Sequence, residues 1–219
     1  MKKEVKEVKD EKLSFYKSVW IFLIGAIIGY IIETSYYFIK HGSFMSKQGL
    51  LYGPIKPIYG IGAVLIYITL YFFKNRRNVE IFVYGSLIGG LFEYICSVVL
   101  EYGFGTCMWT YKNMGFDING RIYIPYLPIW GVIALLWHNI LYPLFNKIYN
   151  KLPKWIMNIL TIVLVVFLVY DISISSLAVR RMTARNKGVE ATSFYQRYMD
   201  KHYSDKYILK KVPYLRLAK

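Results

Sequence analysis

Gly25-Ala-Ile-Ile-Gly29-Tyr-Ile-Ile-Glu33 and Gly85-Ser-Leu-Ile-Gly89-Gly-Leu-Phe-Glu93 carry the decisive reading of this chain. Both are G-x-x-x-G-x-x-x-E, and the two glutamates stand sixty residues apart. Positions i, i+4 and i+8 share one face of a helix. Each stretch therefore presents a stripe of two glycines, where another helix can approach closely, and then a carboxylate. The second stripe continues through Ser97 and Glu101 at the same spacing.

Both stretches lie inside apolar runs. A bilayer core of about 30 Å takes about 20 apolar helical residues to cross. Five runs fit: Ser18 to Ile39, Ile58 to Phe73, Ile81 to Leu100, Tyr123 to Phe145 and Trp155 to Val179. The second is short and extends upstream through Pro57, a residue suited to a first helical turn. The first run is too long for a cleaved signal peptide and carries Glu33. Backbone polar groups in hydrocarbon must pair within the protein, so the runs read as helices.

A second similarity follows each glycine stripe. Pro54-Ile-Lys-Pro57-Ile-Tyr-Gly60 opens the second run, and Pro125-Tyr-Leu-Pro128-Ile-Trp-Gly131 opens the fourth. Both read P-x-x-P-I-aromatic-G. Two motifs in the same order indicate an internal duplication. The expected fold is an all-α polytopic membrane protein with about five transmembrane helices. It comprises two parallel helical-hairpin repeats, about 18–73 and 81–145, plus an extra span at 155–179. Parallel repeats are related by an axis along the membrane normal. That axis would bring Glu33 and Glu93 to the seam between the halves.

The composition agrees. Of 219 residues, 56% are hydrophobic and only 19% charged, yet the net charge is +15. Average soluble domains are about a quarter charged and less apolar. The charge gathers outside the spans, in residues 1–17 and in residues 180–219. The tail holds eleven basic residues, three acidic ones and five tyrosines. Such a tail suits either an anionic lipid surface or packing on the helix ends. Basic residues number twelve on the N-terminal side of the spans and sixteen on the other. The positive-inside rule discounts distant tail charges, which leaves a weak preference for a cytoplasmic N-terminus. Two cysteines form no disulfide framework.

An intramembrane carboxylate costs about 2.5–3.5 kcal/mol or more. Glu33, Glu93 and Glu101 are thus candidates for a substrate or ion site. Arg121, Asp117 and Asn119 join them from the loop that ends Asp117-Ile-Asn119-Gly-Arg121. Arg121 can pair with Glu93 or Glu101, or grip an anionic headgroup, since its fork serves carboxylate and phosphate alike. Asp117 and Asn119 can brace the Asn-Gly turn. Gly25, Gly29, Gly85 and Gly89 are expected to pack helices. Pro54, Pro57, Gly60, Pro128 and Gly131 are expected to shape re-entry loops. Irregular backbone at membrane depth is tolerated only inside protein or a cavity. His138 and Asn139 read as interhelical hydrogen-bonding residues, and Asp171 as interfacial.

These motifs resemble the ABC-transporter permeases labelled type IV, the CmpB-type bacterial membrane proteins. The likeness covers FLIGAIIGYIIETSYY, GLLYGPIKPIYGIGA, LFEYICSVVLE, FDINGR and LPIWG, nearly the whole chain. It departs at Gly29-Tyr30, where the family often has Gly-Trp, and at Trp109-Thr110-Tyr111, where it often has Trp-Asp-Tyr. The resemblance implies a permease subunit in the bacterial cytoplasmic membrane.

The chain has no G-x-x-x-x-G-K-[ST], so transport driven by ATP needs a separate ATPase subunit. It has no H-E-x-x-H, paired C-x-x-C or G-x-S-x-G. No catalytic residue, metal or cofactor is expected. Membrane lipids and an ATPase are the expected partners, with an oligomer open and no nucleic acid. The alternative is a lipid-binding protein or membrane enzyme that uses the same carboxylates with Arg121. A third is a structural subunit whose glutamates only lock helices.

Overall fold

The computed structural model describes residues 13–72 and 77–218. Most of the charged N-terminal segment, together with Phe73, Lys74 and Arg76, lies outside the described residues. Helix α1 spans Phe15–His41. Ser14 caps its start by accepting from the Lys17 amide, and Gly42 ends it at φ 66°, its N–H bonded to the Phe38 carbonyl. Such a left-handed C-terminal residue is nearly free of cost only for glycine. Helix α2 spans Pro57–Phe72, with proline in the first turn, where no amide hydrogen is needed. Helix α3 spans Asn78–Val98 and runs into a π-helical turn at Val99–Gly103.

The fourth apolar run is one continuous helical rod from Ile124 to Tyr149 built in four windings. A 3-10 turn at Ile124–Tyr126 leads into α4, Leu127–Leu136. A π turn at Trp137–Leu141 then leads into α5, Tyr142–Tyr149. Pro143 explains the π turn, since it has no amide hydrogen to donate and its ring crowds the preceding turn. Helix α6 spans Lys154–Asn186. Four of these rods are long and apolar enough to cross a bilayer, while α2 has 16 residues, about 24 Å of helix. The chain is thus a helical, multi-pass membrane protein. Its only strands among the described residues are two-residue pieces.

The helices pack most extensively as two antiparallel hairpins, α1 with α2 and α3 with α4; α2 and α3 touch each other far less. The same contacts recur in both hairpins. Gly25 faces Ala63, and Gly85 faces Ala134. Gly29 lies under the Tyr59 ring, and Gly89 under the Trp130 ring. Gly60 meets Phe22, and Gly131 meets Phe82. At each crossing there is no room for a side chain. A Cβ at Gly29 would sit 2.2 Å from Tyr59 Cγ, and one at Gly89 2.4 Å from Trp130 Cγ.

Helix α6 backs the first hairpin. Trp20 Nε1 donates to Thr161 Oγ1 at 2.8 Å. Leu168, Asp171, Ser175, Ala178 and Met182 form its buried stripe at helical spacing. This stripe supports the Gly- and Pro-rich loop ahead of α2. Leu51 N donates to Ser175 Oγ at 2.9 Å, Tyr52 N donates to Asp171 Oδ1 at 3.2 Å, and Ser175 Oγ donates to the same Asp171 oxygen. Asp171 is fully buried, not interfacial as its position near the end of the span suggested. Its neighbours explain the difference, because the loop bends inward and needs acceptors for its amides.

The tail folds onto the C-terminal end of α6 as α7, Phe194–His202, and α8, Asp205–Lys211. A short strand β4, Arg216–Leu217, follows and pairs with β1, Thr106–Cys107. Strands β2, Asp117–Ile118, and β3, Ile122–Tyr123, form the turn of the long loop between the hairpins' halves. Met199, Tyr203, Ile208, Val212 and Leu215 of the tail bury against Leu51, Ala178 and Met182. Two basic residues of α6 are paired here, Arg181 with Asp200 and Arg185 with both Asp200 and Asp205. Tyr214 donates to the Lys47 carbonyl at 3.0 Å, and Ala218 N to the Gly105 carbonyl at 2.9 Å. One tail therefore ties down a loop from each hairpin.

Two predictions follow from this packing. Gly89→Ala should destabilise the protein by about 1–3 kcal/mol through overpacking on Trp130, seen as a lower melting temperature in detergent. Gly103→Ala, whose added methyl would meet only Val99 at 3.9 Å, should leave it unchanged. The second concerns acid. Hydrogen bonds from Arg181, then Arg185, hold Asp200 at about 2, below its ordinary carboxylate value near 4. A depressed carboxylate contributes stability that is full above the unfolded value and is lost as pH falls through the folded one. Hydrogen exchange across residues 194–217 should accelerate between about pH 4 and pH 2, and Asp200→Asn should show faster exchange at pH 7.

Candidate functional site

The glycine crossings decide where the carboxylates go. With Gly29 flat against Tyr59, the phenol extends one turn further to Glu33 and donates to Oε1 at 2.8 Å. With Gly89 flat against Trp130, the indole N–H reaches Glu93 Oε2 at 3.0 Å. The aromatic residue of each P-x-x-P-I-aromatic-G motif thus answers the glutamate of its own hairpin. An unpaired carboxylate at this depth would be costly, and the aromatic donor is the shared answer.

The second donor differs between the halves. Lys56, buried just before α2, forms an ion pair with Glu33 Oε2. Glu93 instead accepts from the Tyr111 hydroxyl at 2.7 Å. Tyr111 comes from the long loop, in contact with the Tyr123 and Tyr126 rings. Burial pushes its phenol pKa up, and the charges of Glu93 and then Glu33 add to the rise. The two acids are each held inside their own hairpin.

Arg121 is placed elsewhere. Its guanidinium pairs with Glu101 at 2.6 Å and donates to Ser97 Oγ at 3.2 Å. It thereby fastens the long loop to the last turns of α3, and it sits near the Tyr94 and Tyr102 rings. Among its alternatives in the sequence, Glu101 is the realised partner and Glu93 is not. Asp117 Oδ1 accepts from Gly120 N at 2.6 Å, and Asn119 Nδ2 donates to Tyr94 Oη at 2.9 Å. Both brace the turn, with Asn119 at φ 55°, a conformation asparagine tolerates. His138 and Asn139 fall in the π turn, with Asn139 exposed. Pro57 and Pro128 begin their helices, while Gly60 and Gly131 provide the crossings described above.

Three participants were not singled out from the sequence. Tyr59 and Trp130 were visible only as the matching aromatic of a repeated motif. Tyr111 carried no signal, since one tyrosine of twenty-two in a long loop reveals nothing of its reach. Tyr214 is a fourth, covering the first half from the tail. Its ring lies 4.8 Å from Lys56 Nζ and 5.0 Å from Lys47 Nζ, and burial raises its phenol, with the charge of Glu33 contributing.

Residues 20–176 match the family described as putative ABC-transporter type IV, ABC_trans_CmpB. The chain belongs to this family. The matched stretch takes in both hairpins, both glutamates and most of α6, and leaves the folded tail outside. No curated relative and no solved structure matches the chain. The ABC_trans_CmpB chain is thus a multi-pass membrane protein of a transport family, with one carboxylate in each hairpin answered by an aromatic donor.

The Glu33–Lys56 pair gives a direct test. Removing one partner of a buried ion pair costs about 3–5 kcal/mol, discounted here because the Glu33 side chain is 31% exposed. Lys56→Met and Glu33→Gln should each lower the melting temperature. The double variant should lose clearly less than the sum of the two, which a double-mutant cycle of thermal unfolding reads.

Proposed function

We propose that this chain is the membrane-embedded permease subunit of an ABC-type transporter in a bacterial cytoplasmic membrane, with its substrate site at the seam between the two hairpins. The observation that carries the reading is the repeated placing of Glu33 and Glu93, one in each hairpin, each met by an aromatic donor. Each is placed by an equivalent glycine crossing, and each accepts from a tyrosine hydroxyl, Glu33 from Tyr59 and Glu93 from Tyr111. Intramembrane ionisable residues that face a protein interior mark substrate and ion pathways. Family membership supports transport, and the absence of a phosphate-binding loop sequence assigns ATP hydrolysis to another subunit.

The lipid-enzyme alternative draws no comparable support. It needs Arg121 free for a phosphate, and that guanidinium is held by Glu101 and Ser97. A purely structural role for the glutamates predicts stability losses alone.

The test is purification of the full chain from its native membrane in mild detergent, with ATPase activity measured in the eluate. The expected result is a co-purifying ATPase whose turnover falls about tenfold or more in the Glu93→Gln variant, the scale on which a lost charge contact acts, while the variant keeps its elution profile. A chain that purifies free of any ATPase overturns the permease reading. An ATPase indifferent to both Glu33→Gln and Glu93→Gln overturns the site.

A further inference from the structure

The two hairpins share their glycine crossings but differ at a position that sets the charge of the site. Lys56 stands one residue before Pro57, and its counterpart before Pro128 is Leu127. Lys56 crosses to Glu33 and neutralises it. Leu127 packs down on α3 at Gly90, where a Cβ would meet Leu127 Cδ2 at 2.2 Å. Among the described residues the second carboxylate therefore has no cation within ion-pair distance. Glu93 is 9% exposed, and among the described residues its partners are the Tyr111 hydroxyl and the Trp130 indole, both neutral. Three other cations are committed elsewhere. Arg121 holds Glu101, Lys56 holds Glu33, and Lys47 lies over the Tyr37 and Tyr214 rings on the side of the first hairpin.

Neutral donors stabilise a buried carboxylate but leave its charge uncancelled, so the site can take a cation from outside. The surroundings favour one kind of cation. Of the groups aimed at Glu93, the Trp130 indole N–H has no lone pair for a metal ion, and the Tyr111 hydroxyl is engaged in donating to the carboxylate. No group of three His, Cys, Asp or Glu occurs together among the described residues. What surrounds Glu93 instead is aromatic. Phe92 meets Trp130 edge-on at 6.5 Å, and Tyr111, Tyr123 and Tyr126 form a connected set at 4.9–6.2 Å. Ring faces beside a carboxylate recognise alkylated ammonium groups. On its other side Trp130 walls an apolar groove along the seam, lined by Leu65, Ile66, Ile88 and Phe92 among others, suited to the apolar substituents of such an ion.

Resting on the permease reading above, we infer that the substrate class is an organic ammonium cation with apolar substituents, held at Glu93 within the Tyr111–Trp130 aromatic wall, and that the second hairpin is the one that binds it. Lys56 makes the first hairpin its occupied counterpart.

The test uses the full chain in nanodiscs of zwitterionic lipid. Benzyltrimethylammonium chloride is titrated by calorimetry, with sodium chloride at equal concentration as the blank. Saturable binding of the ammonium is expected, with none of sodium. Glu93→Gln should weaken it about tenfold or more, and so should Leu127→Lys, which supplies the internal cation that the first hairpin has. Elution profile and melting temperature establish that each variant is folded; should Leu127→Lys fail there, Glu93→Gln decides. Absence of saturable binding to the wild-type chain overturns the inference, as does equal binding in a folded Glu93→Gln. Uptake of a proton by Glu93 without ammonium binding also overturns it. The measurement needs no ATPase. Ammonium binding by a chain that purifies without an ATPase would refute the permease reading and leave the cation site standing, while a coupled ATPase with no ammonium binding would do the reverse.

Discussion

A carboxylate placed inside an apolar bundle must be met by a donor, and this structure meets it by removing side chains one turn earlier. The glycine four residues before each glutamate lets an aromatic ring lie flat on the helix. Only from there does the phenol or the indole N–H reach the acid. Close packing and polar satisfaction are thus one feature. Interfaces between membrane helices draw on small residues because lipid offers no hydrophobic gain for association. Here the same small residues also deliver the hydrogen-bond donor.

The long loops depend on the same economy of polar groups. The Gly-Pro segment ahead of α2 is irregular and buried, so its amides need acceptors. Asp171 and Ser175 of α6 supply them. The loop after α3 is fastened by Arg121 on Glu101 and by Trp109 donating to the Arg121 carbonyl at 3.1 Å. The tail then closes over both, with a strand on β1 and Tyr214 on the Lys47 carbonyl. The basic residues that suggested a lipid surface include Arg181 and Arg185, which are used within the protein to hold Asp200 and Asp205.

Much of the helix layout was legible because it rests on local pattern. Apolar runs gave the rods, Gly42 and Pro57 gave ends, and the glycine stripes gave the crossing faces. Contacts with distant partners were not legible. Asp171 looked interfacial because nothing in its own neighbourhood shows that Tyr52, 119 residues away, donates to it. Arg121 had two carboxylate partners at helical spacing, and the choice of Glu101 depends on the path of a loop. Tyr111 and Tyr214 reach their partners across the fold, beyond any periodicity. The π turns at Val99–Gly103 and Trp137–Leu141 were also hidden, although Pro143 explains the second.

The uneven packing of the bundle has a mechanical consequence. Within each hairpin, backbone meets ring or methyl at distances that leave no slack, so helices there cannot slide or turn independently. Between α2 and α3 the contact is sparse and a groove remains. Bending compliance is therefore concentrated along one plane through the molecule, with two stiff arms on either side. The Glu33 and Glu93 clusters sit on opposite arms of that plane.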